Sequence, residues 1–163
     1  MLITTSRKPS QRTRSFCKSL DRVINSEYVN RGKMSLRDVL LKSSQLGFDK
    51  TALISETKGN PSKIDFYNEK GDIVLSMDVT VSITNSKGRL KTSELSMKSE
   101  MDTLNILGEL LGIPKCRDIL KQENILVLKE GDNERRALLE FYDSKGVITG
   151  PKIYIKDWRI FHD

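Results

Sequence analysis

The sequence predicts an α/β fold with mixed sheets, built from an internally duplicated half of one strand, two helices and three strands. Three observations predict it. Between Ile73 and Ile83 every odd residue is apolar, the period-2 signal of a strand with one buried face. Upstream, Phe16, Leu20, Val23 and Ile24 fall at i, i+4, i+7 and i+8, the buried stripe of a helix. Downstream, three stretches repeat in order. Ile83-Thr84-Asn85-Ser86-Lys87 echoes Ile3-Thr4-Thr5-Ser6-Arg7, and Cys116-Arg117-Asp118-Ile119-Leu120 echoes Leu36-Arg37-Asp38-Val39-Leu40, both at an offset of 80. Phe141-Tyr142-Asp143-Ser144-Lys145-Gly146 echoes Phe66-Tyr67-Asn68-Glu69-Lys70-Gly71 at an offset of 75.

Taken in order, Leu2-Ile3-Thr4-Thr5 reads as a short strand and Ser6-Arg7-Lys8-Pro9-Ser10 as a polar basic turn. A helix starts near Ser10, whose hydroxyl suits the N-cap, with Pro9 blocking helix before it. Tyr28 to Lys33 is polar, with room for a short extended segment. Ser35-Leu36-Arg37-Asp38 has the form of a capping box with Asp in place of Glu. It opens a second helix with Leu36, Val39, Leu40 and Leu46 on the buried face and Gly47 at its end. Strands follow at 51–56, at 63–68 and from 73, with Asn68 to Gly71 closing a hairpin.

The second half is expected to start without a linker, the stripe from Ile73 running straight into a strand that ends near Thr84. A helix over 93–111, stopped by Gly112 and Pro114, a shorter helix over 115–122, and strands at 124–129, 134–143 and 146–156 complete it. No Ser/Pro/Gly-rich segment divides the halves. One domain over 1–163 is therefore expected, made of two fused repeats at about 1–79 and 80–163.

Charge is distributed unevenly. Residues 1–37 carry nine Lys/Arg against two acids, while the other 126 residues hold 19 basic and 20 acidic groups. The formal net charge of +6 thus belongs to the N-terminal quarter and marks a surface for an anionic partner. No apolar run reaches the roughly 18–20 residues of a membrane span, and the opening lacks the apolar core of a signal peptide. Cys17 and Cys116 lack metal-ligand spacing and read as thiols of a reducing compartment, so a cytoplasmic location is expected. The single histidine, His162, is penultimate, and no Walker A or Gly-x-Gly-x-x-Gly motif is present. No catalytic residue, metal site or cofactor is expected.

The candidate binding residues are Thr5, Ser6, Arg7, Lys8, Ser10, Arg12, Arg14, Lys18 and Arg22. A strand leading through hydroxyls and cations into a helix N-terminus suits phosphate, because the first helical N–H groups are unpaired and the dipole favours negative charge. Arg14, Lys18 and Arg22, spaced four apart, line one edge and can track successive backbone phosphates. The stretch taken as equivalent in the second half, 87–102, has four cations and three anions against six and one over 7–22. A fold requiring the charge would keep it in both copies. Aromatic residues are few, and no base-stacking platform is expected.

The run from Ile3 to Phe16 (Ile-Thr-Thr-Ser-Arg-Lys-Pro-Ser-Gln-Arg-Thr-Arg-Ser-Phe) closely resembles the signature opening of the Brix domain family. Glu56-Thr57-Lys58-Gly59-Asn60-Pro61 is similar to its Gly-x-Pro segment. The resemblance covers essentially the whole chain. It implies a ribosome biogenesis factor that binds ribosomal RNA or its precursors, with small guide RNA and pre-ribosomal proteins as further partners. It also implies an RNA-binding role for Arg7, Lys8, Arg12 and Arg14, and a duplicated fold similar to the anticodon-binding domain of class II aminoacyl-tRNA synthetases. Without basic tails or long insertions, the chain looks like a minimal, archaeal member. The alternative is a protein-interaction scaffold within pre-ribosomal particles that has little RNA affinity of its own.

Overall fold

The computed structural model describes residues 1–83, 90–117 and 123–162. Local signals place the first elements where the sequence put them. Strand β1 spans Leu2–Thr5 and helix α1 spans Gln11–Asp21, with the Ser10 hydroxyl accepting the Thr13 N–H. A two-residue strand β2, Glu27–Tyr28, pairs parallel to β1. Helix α2 spans Leu36–Gln45 behind the full Ser35/Asp38 capping box. Gly47, at φ +81°, lets the Gly47 and Phe48 N–H groups turn back to the Ser44 and Ser43 carbonyls.

Strands β3 (Thr51–Thr57), β4 (Asn60–Tyr67) and β5 (Ile73–Ser82) form an antiparallel meander, and β3 lies parallel to β1. Strand β4 begins earlier than expected and contains Pro61. The register shift beside Glu56 puts Ser62 out of step, and a bulge of this kind tolerates a residue that cannot donate to the ladder.

The second half departs from expectation. Where one helix is expected over 93–111, Thr92–Glu94 form a 3-10 turn, Leu95–Ser99 form strand β6, and only Ile106–Leu111 are helical, as α3. Leu95 and Met97 alternate, while Leu104, Leu107 and Leu111 recur with helical spacing, so two periods lie end to end. Parallel pairing of β6 with β7 (Asn124–Glu130) settles the contest for the strand. The short helix expected over 115–122 is absent at 115–117, where Lys115 instead bridges Met97, and 118–122 lie outside the described residues. Strand β8 is trimmed to Ala137–Tyr142 because Gly131 to Arg136 make the hairpin loop, and β9 is shifted to Lys152–Ile160.

The nine described strands form one mixed sheet in the order β2-β1-β3-β4-β5-β9-β8-β7-β6. The expected passage of β5 directly into the next half's first strand does not occur. Strand β5 stops at Ser82 and pairs antiparallel with β9, and the next described strand starts at Leu95. The echo over 83–87 lies outside the described residues from Thr84 onward. The strand standing to β7 as β1 stands to β3 is β6, parallel in both cases.

One face of the sheet is continuously apolar. Ile3, Ala52, Ile54, Phe66, Ile64, Met77 and Val79 join Ile155, Ile153, Leu139, Phe141 and Leu126 in a single core, into which α1 inserts Phe16, Cys17 and Leu20. Leu2, Leu53 and Tyr67 alternate with core residues and so face the other side, where they too are buried. Helix α2 is more peripheral than its pattern suggested. Only Val39 and Ser43 are fully buried, Leu36 and Leu40 are half-buried, and Leu41 and Leu46 are exposed.

Candidate nucleic-acid interface

The loop between β1 and α1 is held from three sides. The Ser6 N–H donates to the Ile54 carbonyl at 2.9 Å, and the Thr4 hydroxyl donates to the Val29 carbonyl at 2.7 Å. Arg31 donates through Nη1 to the Thr5 carbonyl at 3.0 Å and through Nε to the Met34 carbonyl at 2.7 Å. Burial, with the Arg7 charge adding, pulls the Arg31 guanidinium below its usual pKa. The Ser35 N–H and hydroxyl, with Arg37 and Arg7 adding, hold the Asp38 carboxyl below the carboxylate range. Through Arg31, which bonds both the Thr5 and Met34 carbonyls, the segment entering α2 is tied to the loop.

Of the sequence-predicted residues, Arg7, Lys8, Arg12, Arg14, Lys18 and Arg22 are exposed and Ser6 is half-buried. Arg12 Nη2 reaches the Val81 carbonyl at 3.1 Å, against the end of β5. Arg14 and Lys18 lie on α1 and Arg22 at its C-cap in αR geometry, so the spacing of four continues down one edge. Among the described residues, none of the six cations is ion-paired.

Thr5 and Ser10 are different. Thr5 is fully buried and its hydroxyl donates to the Ser6 carbonyl. The Ser10 hydroxyl donates to the Gly59 carbonyl at 2.7 Å while capping α1. Glu56 lies against the N-cap of α1. Its carboxylate accepts the Ser10 N–H at 3.0 and 3.2 Å, and also the Thr13 hydroxyl. These bonds, Thr13 first and Ser10 second, hold the Glu56 carboxyl below its usual pKa. The bulge at Glu56 and Pro61 is where the side chain turns toward the helix. The chain thus places an anion of its own at the N-cap, one position before the first helical N–H groups.

Glu56 leads into the β3–β4 turn, Lys58-Gly59, whose residues have φ of +51° and +77°. Two positive φ values in a two-residue hairpin loop define a type I′ turn, whose first position favours Asn, Asp or Gly. With Lys8 at φ +53°, Lys58 completes the non-glycine residues at positive φ among the described residues. Each costs about 1 kcal/mol or more. Lys58 is not among the residues the sequence places in the site. Its one sequence signal is its place before Gly59 in the Gly-x-Pro segment.

The comparison between halves also changes. Residues 92–99 form a turn and β6, so 87–102 is not a second loop and helix. The connection following β6 together with α3, residues 100–111, carries Glu100, Asp102 and Glu109 with no Lys or Arg. Residues 7–22 carry six Lys/Arg and one acid. Among the described residues no cluster of His, Cys, Asp or Glu could hold a metal ion, and no helix is long and apolar enough to cross a membrane.

A mixed sheet with parallel pairs toward its ends and a basic strand-loop-helix at one of them defines the class of fold. The crystal structure of Mil, an archaeal Imp4-like protein, superposes with a TM-score of 0.84 at 34% identity, covering 99% of both chains. A probable ribosomal biogenesis protein from Aeropyrum pernix K1 has the same fold, with a TM-score of 0.78 at 23% identity over 96% of this chain and 94% of its own. In sequence, a "Probable Brix domain-containing ribosomal biogenesis protein" of Methanothermobacter thermautotrophicus is 34% identical over 98% of this chain and 99% of its own. The chain belongs to the Brix domain-containing ribosomal biogenesis proteins. No protein-family model matches it.

Proposed function

We propose that this chain is a non-catalytic ribosome biogenesis factor of the cytoplasm that binds ribosomal RNA precursors through the β1–α1 loop and α1. The observation that carries the reading is the run of six exposed cations, Arg7, Lys8, Arg12, Arg14, Lys18 and Arg22, none ion-paired among the described residues, where the topologically matching segment is acidic. Cations without a carboxylate partner are free to replace the counterions condensed on a polyphosphate, and the released ions drive binding. Ser6 adds a hydroxyl at the loop's start, while Thr5 and Ser10 act from within by holding its shape. The names of the relatives support the assembly role. Small guide RNA and pre-ribosomal proteins are further partners in this reading.

The reading includes an internal duplication with its seam at β5–β9, each half similar to the anticodon-binding domain of class II aminoacyl-tRNA synthetases. The strand directions of β1-β3-β4-β5 and β6-β7-β8-β9 support it. So do the matched hairpins. Asn68 Oδ1 accepts the N–H groups of Lys70 and Asp72, and Asp143 Oδ1 those of Lys145 and Val147.

Fluorescence anisotropy with a labelled oligouridylate tests the assignment. If about five phosphates are neutralised, log K falls with log salt at a slope of about −3 to −4. Changing Arg7, Arg12 and Arg14 together to Glu abolishes binding while circular dichroism stays that of the wild type. Unchanged affinity in the triple variant, or no RNA affinity in the wild type, overturns the reading; the second result favours the scaffold.

A further inference from the structure

Resting on the RNA-binding reading above, we infer that Lys8 and Lys58 form a two-lysine clamp on the phosphodiester backbone, so that the β3–β4 turn is part of the interface.

Two independent loops converge here. The Ser10 hydroxyl, two residues after Lys8, bonds the carbonyl of Gly59, one residue after Lys58. A Cβ on Gly59 would lie 3.7 Å from that of Ser10, so the turn rests directly against the α1 cap. Glu56, two residues before Lys58, is committed to Ser10 and Thr13. It bridges the two segments without neutralising either lysine: both are exposed, and neither is ion-paired among the described residues.

The backbone adds the second line of argument. Both lysines are held at left-handed φ, which a long side chain disfavours and Asn or Gly adopts readily. A turn chosen for stability alone would take Asn before Gly59. What Lys supplies instead is a flexible cation at a rigid point, in the turn that rests on the Ser10 cap. A compact ammonium with three rotatable donors engages a phosphate without fixed geometry, as sequence-independent backbone binding requires.

The test uses the full chain and the labelled oligouridylate. Lys8→Asn and Lys58→Asn should each lower the magnitude of the salt slope by about 0.7, and the double variant by about 1.4. Because Asn tolerates the left-handed conformation, Tm should be unchanged or higher, which separates lost binding from lost folding. Lys145→Asn, at an exposed turn of the other half, is the control and should leave the slope unchanged. If Lys58→Asn binds like the wild type while the triple arginine variant does not bind, the clamp is wrong and the RNA reading stands. Equal losses in Lys145→Asn and Lys58→Asn also overturn the clamp, since diffuse charge then suffices. A wild type without RNA affinity removes both.

Discussion

The carboxylate of Glu56 closes on the backbone N–H of Ser10 at 3.0 and 3.2 Å, so that strand β3 caps helix α1 across 46 residues of sequence. The contact joins the two segments that carry the family's sequence signatures. It also places an acidic group at the α1 N-cap while the surrounding cations stay exposed.

Glu56 should therefore be a stability determinant with a defined pH signature. Its carboxyl is depressed in the fold, so its contribution is present above the unfolded value of about 4.3 and is lost as pH falls through the folded value. Glu56→Gln should cost about 1–2 kcal/mol near neutral pH. In urea denaturation the difference from the wild type should shrink in acid. A difference that stays constant there would place the effect elsewhere.

Two glycines separate backbone strain from packing. Gly112 ends α3 at φ +65°, and a Cβ added there would meet nothing within 4 Å, so Gly112→Ala should cost about 1 kcal/mol for conformation alone. Gly150, at φ +83°, would place a Cβ 2.7 Å from Val23 Cγ1, and Gly150→Ala should cost about 2–4 kcal/mol. Adding Val23→Ala to Gly150→Ala should recover part of the loss. Strictly additive costs in that cycle would show that the two residues are not coupled.

The two thiols should differ in reactivity. Burial, with Asp21 adding, pushes the Cys17 thiol up to about 12, which leaves almost no thiolate at neutral pH. Cys116 is only half-buried, beside β6. A maleimide should label Cys116 in the native protein and Cys17 only after denaturation. Native labelling of Cys17 at a comparable rate would contradict the packing of α1 against the core.

Much of the fold is legible in the sequence because its signals are local. Ser10 and the Ser35/Asp38 box start their helices through hydrogen bonds spanning three residues, and the odd-numbered stripe from Ile73 makes β5 whatever its neighbours do. The cations of the candidate site are legible too, because nine lie within 37 residues. Lys58 is not. It joins the site only through the Ser10–Gly59 contact, which links positions 49 apart. Nor is the engagement of Ser10 by Glu56, since a capping serine looks the same in sequence with or without a partner from another strand.

By itself, then, the sequence determined the first helices, the central strands and the side of the molecule that bears positive charge. The tertiary structure alone decided that 95–99 is strand, that β5 ends against β9, that α2 is peripheral, and that Glu56 sits at the α1 N-cap. The physical reason is common to all four. Backbone pairing and side-chain burial between distant segments outweigh local propensities worth a few tenths of a kcal/mol to about 1 kcal/mol per residue, and no short window of sequence contains those partners.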